Sequence, residues 1–490
     1  MDDLNVLRIE DFYGGISPRI NKGVRGSFAY GQNLNIRENN SLKCQQALLK
    51  DSGTVVTDLV LVMLKMSNGS YLAFGDTGKI YRREPVGSIY GWELVYTDTD
   101  AYAPNRRITG AIEYKSSTDT YILYATMNKL KRIKLSDATD VWTGKVSDVG
   151  SSFLNQGTPY YHTMRLFNGG VIINDGNVLV YYGYDDSVNM TALTLPPDFN
   201  TRSLLDRNDR IIVGTDNLIQ TEGFFLTWDG LSPSWITKKS AQGQGIKGME
   251  FYEGGIMAQL GDNGILKYWN FAETSPLIRI PGVKNTQPGG VCLWNSLVLL
   301  GMNGGTKNGV YTLGRQDLND PRALNLEYIP SHGKITGTTI GSILGNGDNL
   351  FVSWKDGTTY GIDLLSATVK ADAIYESLVY NLDKSEQEKF IRHIKITLKD
   401  PLPAGCSVGL DYKATRITEE EEDAADANGW IPTKMSDDRE LINVEGETKG
   451  VFDIEAIGES IQFRVRLYHY QNTTPEIDSV NIYFDYNNSI

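Results

Sequence analysis

"LGDNGILKYWN", residues 260–270, sets two glycines, an acidic residue and an amide into four successive positions and then runs on as a strand. Two chemistries use such a stretch. Side-chain oxygens beside flexible backbone suit a loop for a cation or a phosphate, and the same residues suit a turn whose central positions need φ > 0. One copy does not separate these readings; a repeat does.

The stretch is repeated. "YLAFGDTGKIYRR" begins at Tyr71, "YILYATMNKLKRI" at Tyr121, "GVIINDGNVLVYY" at Gly170 and "RIIVGTDNLIQ" at Arg210. "GIMAQLGDNGILKYW" follows from Gly255, "LVLLGMNGGTKNGVYTL" from Leu297 and "LFVSWKDGTTYGID" from Leu350. Each is an apolar strand, a turn rich in Asp, Asn or Gly, and a second strand. The turns centre near Asp76, Met127, Asp175, Asp216, Asn263, Gly305 and Asp356. Their spacing of about 40 to 50 residues is the period of propeller blades. A further strand precedes most turns ("LVLVMLKMS", "ITGAIEYK", "IKGMEFYE") and another often follows ("WELVYT", "SWITKK", "PLIRIP").

Four strands per unit predict a β-propeller over residues 51–375. Seven blades are expected, with six or eight open because the second and fourth units are degenerate. A single blade cannot bury both faces, so blades stack around an axis into one continuous core. Residues 1–50 form a separate N-terminal segment, and its two strand-like runs in 27–50 are candidates for closing the ring; a docking arm is the other reading. From residue 376 the pattern changes. In "IQFRVRLYHY", Ile461, Phe463, Val465 and Leu467 alternate with Gln462, Arg464, Arg466 and Tyr468. Period two with one apolar face marks a half-buried antiparallel strand. "IKITL", "SVGLDY" and "SVNIYFDY" repeat it, which predicts an antiparallel β-sandwich over 376–490.

Composition agrees with an all-β chain. Among 490 residues, 50 are Gly and 27 are Tyr, a bias toward tight turns and strands. The net charge of −13 argues against unspecific binding to nucleic-acid backbones, because phosphate neutralisation needs clustered Lys and Arg, and no specific nucleic-acid binding is expected. Cys44, Cys292 and Cys406 are distant and odd in number, so neither a zinc site nor a disulfide framework is indicated. The start, "MDDLNVLRIEDFYGG", lacks the order of a secretion signal, and no apolar run approaches the ~20 residues of a membrane span. Production in the cytoplasm without membrane insertion is the expectation.

No catalytic, cofactor-binding or metal-ligating residue is nominated. None of the turns has the ligand spacing of an EF-hand. "TWDGLSPSW" (Thr227 to Trp235) and "SWKDGTTY" (Ser353 to Tyr360) approach the Asp-box of sialidase propellers but misplace the Asp or the Gly. His162, His332, His393 and His469 are scattered, and neither a nucleophile elbow nor a P-loop is found. An enzyme is therefore not expected. The acidic run "TEEEEDAADANGW", residues 418–430, reads as a solvated loop with Trp430 packing back onto the sandwich; a cation site is the minority reading.

Two phrases carry a family likeness. "FYGG" (Phe12 to Gly15), followed by a "nlnIr…sL" segment from Asn33 to Leu42, resembles the N-terminal region of tailed-bacteriophage structural proteins. The ending, in which an amphipathic strand leads through Thr474 to Ile477 into a last strand, resembles the C-terminal sandwich of phage tail components. The resemblance implies a virion protein of the tail or its tip, a rigid adaptor contacting other virion proteins in multiple copies of a symmetric assembly. The alternative is a tail adhesin that binds a host glycan or protein. Tyr90 and Trp92 in "GSIYGWELVY" would then be the exposed aromatics that stack on sugar.

Overall fold

The architecture is that of a computed structural model, which describes residues 5–38, 40–51, 56–86, 89–99, 107–135, 142–154, 161–217, 222–315, 317–382 and 387–486. The chain is all-β, a β-propeller with a β-sandwich-like region, and the two helices among the described residues are short, Trp142–Lys145 and Glu419–Ala424. It divides into two compact units. One is Leu49–Val310 with Pro330–Leu364, and the other is Met1–Leu48 with Tyr311–Ile329 and Leu365–Ile490.

The first unit carries the repeat. Five four-stranded antiparallel sheets follow one another, each from a single run of chain. Their first strands are Val60–Lys65, Gly110–Lys115, Met164–Phe167, Phe199–Arg207 and Ile246–Tyr252. A sixth separate four-stranded sheet is formed by Thr338–Asn346, Asn349–Asp356 and Thr359–Lys370, with Gln46–Lys50 as its outer strand. Between the fifth sheet and that one stand Asn285–Trp294 and Leu297–Asn303, which lead in strand order to Gly309–Gly314 and Ala323–Tyr328. The first strands lie side by side around an axis in sequence order, and Thr338–Asn346 lies beside Val60–Lys65. The ring therefore has seven places, called blades 1 to 7 below.

Apolar clusters fill the gaps between blades. Leu72, Phe74 and Ile80 of blade 1 meet Ile122, Tyr124 and Ile133 of blade 2. Blade 7 meets blade 1 through Phe351 and Ile362 against Val60, Tyr71 and Trp92, with Tyr71 and Phe351 at 5.0 Å between ring centroids. Polar staples accompany this seam. Ser353 Oγ donates to Val60 O at 2.6 Å and accepts from Ser342 N–H at 2.7 Å, which satisfies backbone groups that the closed ring takes away from water. Where blades approach most closely no side chain fits: a Cβ on Gly110 would lie 1.7 Å from His162 O.

The marked turns join the second and third strands of their blades. In the fourth blade this connection includes residues 218–221, outside the described residues. For residues 260–270, Leu260 pairs with Ile265, so the connection is the four-residue loop Gly261 to Gly264 rather than a tighter turn. Both glycines have positive φ, 56° and 68°. The polar groups of the loop are used by the scaffold: Asn285 Nδ2 donates to Asp262 Oδ1 at 2.5 Å, and Arg279 Nε donates to Asn263 O at 3.2 Å. Trp269 stacks on Phe225 of blade 4 at 4.7 Å, and Leu266 is fully buried.

The second unit holds two sheets. One runs in the order Lys434–Met435, Lys449–Gly458, Lys389–Leu398, Glu476–Tyr486, Leu42–Cys44, Leu34–Asn35, with Asn5–Ile9 also on Glu476–Tyr486. The other includes Tyr30–Gln32, Ala373–Glu376, Ile461–Tyr468, Ser407–Ala414 and Ile431–Pro432. Ser407–Ala414 lies against Lys449–Gly458, and Ile461–Tyr468 against Leu42–Cys44, so the sheets face each other. Ile461, Phe463, Val465 and Leu467 are all fully buried between them. Tyr375 is ringed by Phe12, Phe28 and Phe463 at 5.7, 5.4 and 5.9 Å. Residues 5–44 thus contribute strands to both sheets of this unit.

Candidate functional site

The first strands of all seven blades line one axial cavity of ≈ 230 Å³. Strand alternation sends every second side chain of these strands toward the axis. Val62 and Leu64 of blade 1, Val291 of blade 6 and Ile343 of blade 7 make much of the wall apolar. Arg165 of blade 3 and Glu250 of blade 5 supply opposite charges. Burial raises the pKa of the Glu250 carboxyl, opposed by the Phe251 N–H and by Arg165, and burial lowers that of the Arg165 guanidinium. Arg165 nonetheless keeps solvent exposure. Cys292 also lines the cavity; burial and then Glu250 push its thiol up to about 12, which favours the protonated form there.

Polar side chains gather just above that cavity in sequence register. Arg107, Tyr161, Arg202, Lys247 and Gln287 each stand one or two positions before a lining residue of blades 2 to 6. The Tyr161 ring has the Arg107 guanidinium carbon 5.1 Å and the Arg202 guanidinium carbon 4.6 Å from its centroid. Its hydroxyl accepts from Arg107 Nη2 at 3.4 Å and donates to Gln287 Oε1 at 3.1 Å. Asp216 Oδ2 accepts from Lys247 Nζ at 2.5 Å and lies 3.5 Å from Arg202 Nη1.

Three of these residues are placed by the same device. Thr201 pairs with Thr215 and Ser203 with Gly214, which leaves Arg202 as the extra residue of a bulge. Lys247 is skipped in the same way between Ile246 and Gly248, and Gln287 lies in a longer irregularity between Thr286 and Val291. A bulge re-aims a side chain that regular alternation would send elsewhere. Nothing in the sequence announced this group, because a one-residue insertion in a strand leaves no compositional mark.

A second, larger hollow of ≈ 540 Å³ is lined by Arg207, Phe251, Tyr252, Glu253, Phe271 and Leu293 among others. The Arg207 guanidinium sits 3.7 Å from the centre of the Phe271 ring. Phe271, Glu253 and Ser296 take positive φ of 69°, 45° and 63°, which bulky residues rarely adopt without strain.

The sequence features considered for chemistry fall mainly into structural roles. Trp92 is 1% exposed and packs edge-on to Phe351 at 6.0 Å, so it offers no face to a sugar; the Tyr90 side chain lies outside the described residues. In "TWDGLSPSW", Asp229 Oδ1 accepts from Leu231 N–H and Ser232 N–H at 2.9 and 2.8 Å, and its Oδ2 from Ser232 Oγ at 2.6 Å. These donors hold its carboxyl down at about 2, the behaviour of a turn-fixing residue. His162 has its ring nitrogens against Asn174 O and Met127 O at 2.8 and 3.3 Å. His332 stacks on Trp354, His393 on Tyr483, and His469 meets Asp372.

The acidic run is not a plain loop. Glu419–Ala424 is helical, with Thr418 and Glu421 forming a reciprocal cap. Trp430 is buried, with Lys413 and Arg464 over its ring at 4.2 and 4.9 Å. The three cysteines are free, and among the described residues no group of three or more His, Cys, Asp or Glu is placed to hold a metal ion.

No protein-family model matches the chain. No curated protein sequence matches it either. Solved structures align with the chain only distantly. The extracellular domain of a hybrid two-component system from B. thetaiotaomicron aligns at 15% identity and a TM-score of 0.47, over 74% of this chain and 44% of that one. The chain thus spans less than half the length of that structure. YCF48 bound to D1 peptide aligns at 14% identity and 0.43, over 65% and 94%. The computationally designed protein Ika8 aligns at 11% and 0.40, over 65% and 99%. Likenesses this distant do not bear on what the chain does.

Proposed function

We propose that the chain is a structural component of a tailed-bacteriophage particle, a tail or tail-tip protein that acts as a rigid adaptor between other virion proteins. The observation that carries this reading is where the two resembling phrases lie. Leu42 and Lys43, at the end of the N-terminal phrase, pair with Ile477 and Glu476 of the C-terminal one. Thr474 Oγ1 accepts from Cys44 N–H at 2.9 Å, and Asn33 Nδ2 donates to Asp372 O at 3.0 Å. Leu34, Ile36, Leu42 and Ile477 are fully buried. The residues behind the resemblance are thus the ones that bind the two ends of the chain into one body. A unit whose ends are locked together suits a part that transmits force between neighbours.

In this reading the protein acts in the virion, in several copies of a symmetric assembly, without catalysis. The protonated thiol of Cys292 and the four structurally engaged histidines fit a non-enzymatic role. The test is to purify particles from the host that encodes the chain and quantify it by mass spectrometry. A fixed ratio to the major particle proteins is expected; recovery only in the soluble fraction would count against the reading.

A second reading, a tail adhesin for host glycans, is favoured by the hollow lined by the half-buried Phe251 and Phe271 with Arg207, since aromatic side chains beside a charged group at a hollow suit sugar stacking. Binding on a glycan array that disappears in Phe271→Ala would move the assignment there.

A further inference from the structure

We infer that the cluster above the axial cavity is a binding site for one oxyanion group, a phosphate or a carboxylate, gripped by Arg107, Arg202 and Lys247. This goes beyond the adaptor reading and does not depend on it.

Three side-chain cations are linked through shared partners, Arg107 and Arg202 at the Tyr161 ring and Arg202 and Lys247 at Asp216, and among the described residues the one carboxylate within ion-pair distance of any of them is Asp216. Arg202 is 5% exposed as a residue, and a guanidinium taken this far out of water is costly unless it is fully paired. It is not fully paired. The Nε atoms of both Arg202 and Arg107 are closed off from solvent and have no hydrogen-bond partner. A guanidinium carries five N–H donors in a planar fork, matched to the paired oxygens of carboxylate or phosphate. Arg202 has one contact with Asp216, and Arg107 has one with the Tyr161 hydroxyl. Donor capacity is therefore left over on both forks.

Arg202 and Lys247 are both bulge residues of first strands, in adjacent blades. The equivalent bulge in blade 1 aims the apolar, buried Leu61, so the scaffold does not require a cation at such a bulge. The Tyr161 ring serves both arginines as a cation–π platform and is itself fixed through Gln287. Asp216 holds Arg202 and Lys247 side by side while leaving the cluster a net positive charge. A single oxyanion supplies acceptors for the Nη donors that Asp216 and the Tyr161 hydroxyl leave unused.

The experiment is equilibrium binding to the full chain by calorimetry, with inorganic phosphate in one arm and acetate in the other, against chloride at equal ionic strength. Saturable, one-site binding is expected in at least one arm, and the arm that binds more tightly identifies the shape the site takes. Arg202→Met is expected to abolish binding. Arg107→Gln, at a half-buried position, should weaken it about tenfold, the loss expected for one charge-assisted hydrogen bond. Lys247→Gln should weaken it as well, and these two variants decide the matter if Arg202→Met does not fold. Absence of saturable binding in both arms, or binding unchanged in Arg107→Gln and Lys247→Gln, would overturn the site.

Discussion

The propeller and the sandwich-like unit are both antiparallel β-structure, yet they are assembled from the chain in opposite ways. Each of the first five blades is one uninterrupted run whose four strands pair with their sequence neighbours. The sandwich-like unit depends on distant partners: Ser41 Oγ donates to Glu476 Oε1 across 435 positions, and Asn5–Ile9 pairs with the last strand of the chain. Local pairing leaves a periodic trace in sequence, whereas pairing between the ends leaves none. Stability follows the same division. A blade is held by its two flanking neighbours, as in any repeat architecture, while the sandwich needs both ends at once.

Removing residues 1–44 is the strongest way to break this contrast. The deletion takes Phe12, Phe28, Leu34, Ile36 and Leu42 out of the sandwich core, and we expect that unit to lose cooperative unfolding altogether in calorimetry. The propeller transition should persist. If both transitions survive, the ends are not structurally essential.

A smaller effect is expected within the ring. Trp269→Ala empties the space between blades 4 and 5, where the indole packs on Phe225, and should cost about 3–5 kcal/mol in chemical denaturation. A loss near zero would mean that the blades do not share that core.

A pH effect sharpens the picture at the first blade. Burial, then the neighbouring Asp76, pushes the Asp58 carboxyl up to about 7, while Thr77 N–H and Oγ donate to it at 2.9 and 2.8 Å. A carboxyl raised on folding adds stability that is complete below its unfolded pKa and is lost as pH rises through the folded one. The melting temperature should therefore fall between about pH 4 and 7, by about 2–4 °C for each kcal/mol involved. Asp58→Asn should flatten that slope; an unchanged slope would assign it to other groups. Least is expected of Thr418→Ala, which removes the cap of a short exposed helix and should cost about 1 kcal/mol locally, read as faster amide exchange over Glu419–Ala424.

Much of this was legible from residue patterns, and the gaps have physical causes. The seven Asp-, Asn- and Gly-rich turns marked the blades because a hairpin needs φ > 0 at particular positions, a demand that composition reveals. The alternation from Ile461 to Tyr468 marked a sandwich strand because one face is buried. The contribution of Leu34–Asn35 and Leu42–Cys44 to that unit was hidden, since short strands set by distant partners have no periodicity of their own. Trp92 looked like a loop-tip aromatic, but its place in a strand turned it into the seam between blades 7 and 1. The Arg202 and Lys247 cluster was hidden for a third reason: bulges aim those side chains, and a bulge is invisible until the pairing register is known.

The proposed role as a structural part of a phage tail has a direct consequence in the assembled particle. Cryo-electron microscopy of particles from the encoding host tests it most directly. Density is expected at the tail or its tip, in symmetry-related copies, into which the seven-place ring and the sandwich-like unit can each be fitted. Well-resolved tails in which every density belongs to other proteins, with this chain present in the same lysate, would contradict it.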